Sequence, residues 1–201
     1  MSKQTQVLVI HGGDSFPSEK EYLSFLTDCS VDLTDGRDRG WKSRLIEDLG
    51  PNFGVTLPRM PNALNAKYKE WSLWFEKYIP LLLDGVVLVG HSLGGSFLAK
   101  YLSEEEFPKE ILATFLISAP FAKDGDRDLV EFTVPKSLDL LSTQGGKIFL
   151  YHSKDDQVVN FTELENYTRA LPTAFVRAFE DRGHFNQESL PEVVEDIKAL
   201  V

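Results

Sequence analysis

The chain has 201 residues, 42% of them hydrophobic and 26% charged, with a formal net charge of −10 and a single cysteine, Cys29. That length suits one α/β domain over residues 1–201 and suffices to bury a core without a structural metal or disulfide. The acidic balance excludes the basic stripe a nucleic-acid partner needs and argues against docking on anionic lipid. The N-terminal apolar run, Val7–Ile10, is too short for a signal-peptide core, and no stretch approaches a membrane span. A cytoplasmic protein with no membrane partner is therefore expected, and one cysteine is compatible with a reducing compartment.

Along the chain, short apolar runs alternate with helical patterns. The runs are Gln6–His11, Gly54–Leu57, Val86–Val89, Ile111–Ser118, Lys147–Tyr151 and Ala174–Phe179. They are largely uninterrupted, as in strands covered on both faces. After the first run the chain takes a long route from Gly12 to Gly40 before a helix at Trp41. Ser18 and Glu21 are spaced to cap a short helix there, carrying Tyr22, Leu23, Phe25 and Leu26. Residues 14–40 read as a lid-like excursion or, equally, as a packed surface loop.

Farther on, Trp71, Trp74, Phe75, Tyr78, Ile79 and Leu82 recur at helical spacing and form one apolar stripe, which Pro80 should kink or end. Asn160 with Glu163 marks another helix start, stopped by Pro172. Ser189 with Glu192 has capping-box spacing for a last helix faced by Leu190, Val193, Val194 and Ile197. The alternation predicts an α/β fold: a mostly parallel, doubly wound sheet of about six strands with helices on both faces.

The chemistry centres on Gly90-His91-Ser92-Leu93-Gly94-Gly95, directly after the Val86–Val89 run and opening a helix. This is G-x-S-x-G in its strand–turn–helix setting, where a sharp turn projects the serine from the sheet edge. A glycine-rich βα turn with a capping serine would look similar, but the flanking strand and helix favour Ser92 as a nucleophile. A serine hydroxyl needs a base, and the base needs an orienting acid. Asp156 follows Ser92 by 64 residues and His184 follows Asp156 by 28, each just after a later apolar run. That is the chain order Ser, acid, His at successive strand ends.

Asp156 is preferred to Asp155 because it directly precedes Gln157-Val158-Val159, where the loop turns toward the next helix. Asp155 then reads as a solvated turn residue. His91 is expected to face away from where a base must sit, and His152 to end a strand near the site. His11 is expected to shape the loop after the first run. The four histidines lack metal-ligand spacing, so no metal is assigned. An oxyanion hole needs two N–H donors: Leu93, after the nucleophile, and Gly13 in the His11-Gly12-Gly13-Asp14 loop. Phe16, Phe121, Val158 and Val159 fall on loops at this edge and are candidates for an apolar substrate pocket.

The segments Val9-Ile10-His11-Gly12, Leu57-Pro58-Arg59-Met60-Pro61-Asn62, Gly90-His91-Ser92-Leu93-Gly94, Asp155-Asp156 and Gly183-His184-Phe185 together resemble the α/β-hydrolase superfamily. More narrowly, the Pro-x-Met-Pro-Asn stretch before a Trp-bearing helix is similar to the YdeN-like small serine hydrolases, a group that includes a human retinoblastoma-binding protein. The resemblance implies an α/β-hydrolase fold, a Ser92–Asp156–His184 triad, no cofactor and little cap domain. The 14–40 segment is longer than such hydrolases need. The reading is thus a serine hydrolase of a small carboxyl ester, amide or thioester acting through an acyl-enzyme. Its alternative is a catalytically weak binding module on the same fold. A protein partner is not legible in the sequence.

Overall fold

A computed structural model describes residues 4–31, 40–122 and 129–201. Six strands, β1 (Thr5–Ile10), β2 (Phe53–Thr56), β3 (Val86–His91), β4 (Ile111–Ile117), β5 (Lys147–Ser153) and β6 (Phe175–Phe179), form one sheet in the order β2-β1-β3-β4-β5-β6. Every neighbouring pair is parallel. All six apolar runs of the sequence therefore became strands of one parallel sheet.

Alternation along each buried strand divides the core into two layers. Leu8, Ile10, Leu88, Leu116 and Leu150 face helices α3 (Tyr68–Glu76), α4 (Leu93–Glu104) and α6 (Thr162–Ala170). Val7, Val9, Val87, Val89 and Phe115 face α2 (Trp41–Leu49) and α7 (Pro191–Lys198). With both faces covered, the central strands β1, β3, β4 and β5 are apolar at most positions, so their runs show little polar alternation. The edge strand β6 departs from that rule, because Phe175 and Val176 stay 51% and 44% exposed.

Helix α4 is the mechanical centre. Phe97, Leu98 and Leu102 are fully buried beneath the sheet, each worth roughly 1.5–3 kcal/mol of burial. Helix α1 (Glu19–Asp28) is its opposite: it has no buried residue, although Ser18 caps it as expected by accepting the Glu21 N–H at 3.2 Å. Of the expected excursion over 14–40, residues 32–39 lie outside the described residues.

Two expected caps form differently. The α7 start uses Pro191 in its first turn with Leu190 as N-cap, and Glu192 binds Arg182 at 2.6 Å instead of closing a capping box. Glu163 turns into the protein, where its carboxylate accepts the Phe121 and Ala122 N–H groups at 2.6 and 2.8 Å. A buried and a part-buried donor that needed an acceptor outweighed a local cap. The Trp71 stripe is shared between α3 and a 3₁₀ turn at Ile79–Leu81 that contains Pro80.

Candidate active site

The strand order reverses between β1 and β3, so the loops leaving their C-terminal ends diverge and open a crevice. Ser92 stands at that crevice with φ 55° and ψ −128°, a region L-residues rarely enter. The turn is held by backbone contact: a Cβ on Gly90 would lie 2.5 Å from the Gly94 carbonyl oxygen, and one on Gly94 would overlap the Ile10 carbonyl. The Ser92 N–H donates to the Ile117 carbonyl at 2.8 Å, which ties the elbow to β4.

Across from the elbow runs the loop His11–Asp14. A Cβ on Gly12 would stand 3.0 Å from the Ser92 Cβ. The Asp14 N–H is engaged by the Ala63 carbonyl at 2.8 Å, whereas the Gly13 N–H has no acceptor among the described residues. Leu93, as the first residue of α4, has an N–H without an intrahelical acceptor. Gly13 and Leu93 line the same cavity as Ser92.

His11 shapes this loop as expected. Its Nε2 accepts the Met60 N–H at 2.9 Å, so its Nδ1–H donates to the Gly12 carbonyl at 2.6 Å. Trp71 Nε1–H donates to the Pro61 carbonyl at 2.8 Å. The Pro-x-Met-Pro-Asn stretch therefore clamps the loop that carries Gly13.

Asp156 and His184 meet from the ends of β5 and β6. His184 Nδ1–H donates to the Asp156 carboxylate, 2.9 Å from Oδ2 and 3.1 Å from Oδ1, which leaves Nε2 as the acceptor. The Asp156 side chain has no solvent exposure. Burial by itself would raise its pKa. The hydrogen bonds from His184, Ser118 Oγ (2.6 Å) and the Val159 N–H (3.0 Å) outweigh burial and hold it at about 2. The group is thus a fixed carboxylate.

Among the described residues no hydrogen bond joins Ser92 Oγ to His184, but both line one cleft. Such contacts commonly tighten only when substrate is bound.

Several supports of this pair escaped the sequence reading. Ser118, at φ 43°, aims its buried hydroxyl at Asp156. His91 does not face away from His184, as its place in the elbow suggested. It packs on the His184 ring with centroids 4.9 Å apart, and its Nε2–H donates to the His184 carbonyl at 2.8 Å. Burial first, then the charges of Lys42 and His184, push its pKa well down, so His91 is a neutral prop.

Asp155 is more than a solvated turn. Its Oδ1 accepts Ser153 Oγ–H at 2.5 Å and the Gly183 N–H at 2.8 Å, joining the loop after β5 to the loop after β6. Trp41 holds the loop that carries His184 from α2: its Nε1–H donates to the Phe185 carbonyl at 2.7 Å and its N–H to the Gln187 carbonyl at 3.0 Å. His152, a strand-end residue as expected, binds the Val159 carbonyl through Nε2 at 3.1 Å and steadies the loop that carries Asp156.

Two cavities meet at Ser92. One of about 470 Å³ lies under α1 and includes Phe16, Val158 and Val159 among its walls. The other, about 420 Å³, includes His184, Lys42 and Asn186. Phe121 reaches neither; it is 8% exposed and packs edge-on against Tyr167 with ring centroids 4.9 Å apart. The Glu163 carboxylate that binds the Phe121 N–H draws this loop inward, which the sequence could not show.

A serine hydrolase family profile matches residues 32–200. The chain belongs to the serine hydrolase family. Within it, the chain is 23% identical to the serine hydrolase RBBP9 of Rattus norvegicus over 165 residues, 81% of this chain and 85% of that one. It is 28% identical to the putative hydrolase YdeN of Bacillus subtilis over 159 residues, 76% and 81% of the two chains. The crystal structure of the B. subtilis ydeN product superposes with a TM-score of 0.71 at 22% identity, covering 98% of both chains. An esterase domain from a Rhodothermus marinus protein superposes at 0.63 and 18%, covering 98% of this chain and 87% of that one. This serine hydrolase is therefore a YdeN-like member with the α/β-hydrolase fold. No helix among its described residues is long and apolar enough to cross a membrane.

Proposed function

We propose that this serine hydrolase cleaves a small carboxyl ester through an acyl-enzyme, with Ser92 as nucleophile, His184 as general base and Asp156 as its orienting acid. The observation that carries the reading is the buried Asp156–His184 pair, with Nδ1 committed to the carboxylate at 2.9 Å and Nε2 left for the cleft that also holds Ser92.

In the first half-reaction Ser92 Oγ bonds to the carbonyl carbon while its proton passes to His184 Nε2. The carbonyl oxygen becomes an oxyanion, received by the Gly13 and Leu93 N–H groups. The carbon–oxygen bond to the leaving group then breaks, and His184 returns the proton to that oxygen. Water repeats the sequence, with its proton taken by His184 and the acid released from Ser92. Asp156 stays ionised throughout and stabilises the imidazolium. Amide and thioester bonds pass through the same steps. Phe16, Val158 and Val159 form part of the substrate pocket, and α1 covers it.

Acid-quenching the protein during turnover of a p-nitrophenyl ester and mapping its peptides by mass tests this. The expected result is one acyl group on the Ser92 peptide and a burst of nitrophenol. Turnover without an acyl adduct, or with the adduct elsewhere, would overturn the mechanism, and absence of turnover would favour a binding module.

A further inference from the structure

The two cavities at Ser92 differ in chemistry, and the proton path decides which part of a substrate each one takes. Gly13, Asp14, Ser92 and Val158 are common to both and form the ridge between them. Leu93, with its oxyanion N–H, belongs to the cavity under α1, and His184 belongs to the other. A leaving group must lie beside the imidazole that protonates it, so it occupies the His184 side. The acyl chain then runs the other way, under α1.

The acyl side presents more apolar than polar surface, with Phe16, Phe25, Leu129, Val158 and Val159 among its walls, although Asp14 and Glu21 also line it. Phe16 packs at a tilt against Phe25 and Tyr22 of α1, with ring centroids 5.0 and 5.5 Å apart, which seats an aromatic face of the helix on the loop below it. Its volume of about 470 Å³ exceeds what an acetyl group fills. The His184 side carries Lys42, Asn186 and His11 on its walls, a polar setting that offers an alkyl chain little.

From this division we infer that the protein is selective for medium-chain acyl groups, hexanoyl to decanoyl, joined to a small polar alcohol or thiol. The inference rests on the Ser92–His184 reading above. Helix α1 is the specificity element, and Phe25 is its most telling residue.

The test uses two mirror-image substrate series. In one, 4-acyloxy-3-nitrobenzenesulfonates keep an anionic leaving group while the acyl chain grows from acetyl to decanoyl. In the other, acetate is kept and the alcohol grows from methyl to octyl, followed by pH-stat. Each methylene entering an apolar pocket is worth ~0.8 kcal/mol, so kcat/KM should rise about threefold to fourfold per carbon in the acyl series up to octanoyl. It should change less than about twofold per carbon in the alcohol series.

Phe25→Asp puts a charge in the acyl wall of a helix that buries no residue, so the fold should survive. The octanoyl-to-acetyl ratio should then fall at least about tenfold, as expected when charge faces an apolar chain. A slope in the alcohol series with a flat acyl series would reverse the assignment. Flat slopes in both, or an unchanged ratio in Phe25→Asp, would overturn it. A fluorophosphonate reacting at Ser92 in the same preparation separates those failures from failure of the nucleophile reading.

Discussion

The proposed catalytic edge has two halves that are held in place by different forces. The Ser92 half is fixed by backbone sterics: Gly90 and Gly94 permit contacts that any β-carbon would break, and α4 beneath them is buried. The Asp156–His184 half sits on loops after β5 and β6, held by side-chain hydrogen bonds from Ser118, Asp155, His91 and Trp41. A steric constraint fails all at once, whereas a set of hydrogen bonds loses one strand of support at a time. The Ser92 half should therefore respond to substitution sharply and the Asp156–His184 half by degrees.

The largest effects test the shared chemistry. Ser92→Ala and His184→Ala should each lower ester kcat by ~10⁶-fold with an unchanged circular dichroism spectrum, since triad members act as a unit. Asp156→Asn should cost ~10⁴-fold, because an amide cannot enforce the His184 tautomer. Steady-state rates with p-nitrophenyl esters read all three, and a loss below a hundredfold for Asp156→Asn would mean the acid lies elsewhere.

Smaller effects separate the halves. Trp41→Phe removes the N–H that the Phe185 carbonyl accepts while retaining most of the ring, and kcat/KM should fall by about tenfold. Asp155→Ala should cost less than that, as it removes a link at the exposed end of the same loop. A Trp41→Phe enzyme with native kinetics would show that the loop that carries His184 needs no support from α2.

The acid limb of stability reports on Asp156 itself. Its folded pKa, about 2, lies below the ordinary value of 3.8. The carboxylate thus contributes stability that is complete above about pH 4 and is lost as pH falls toward 2. The loss is roughly 2 kcal/mol, read as the difference between acid-unfolding curves of the native chain and Asp156→Asn. Parallel curves across that window would contradict a depressed pKa.

The same contrast explains what the sequence could disclose. The elbow is a contiguous motif whose glycines and serine act on one another locally, so Ser92, Leu93 and the flanking β3 and α4 were readable together. The central strands were readable because burial on both faces leaves continuous apolar runs, and the edge strands β2 and β6 because their short apolar runs stand at the same rhythm between helical patterns. Ser118, Trp41 and Asp155 serve loops far along the chain, and their side chains are of kinds that also fill turns and cores. Nothing local marks them. His91 misled for the same reason, since its partner is the backbone of His184. Phe121 looked like a pocket residue until the inward turn of Glu163 drew its loop into the core.

Whether Ser92 is an activated nucleophile is most directly measured by labelling the native chain and Ser92→Ala with a fluorophosphonate and mapping the modified peptide. The prediction is a single adduct on the Ser92 peptide of the native chain and none in the variant. A well-folded native chain that stays unlabelled, or equal labelling of both proteins, would contradict the assignment of Ser92, Asp156 and His184 as one catalytic unit.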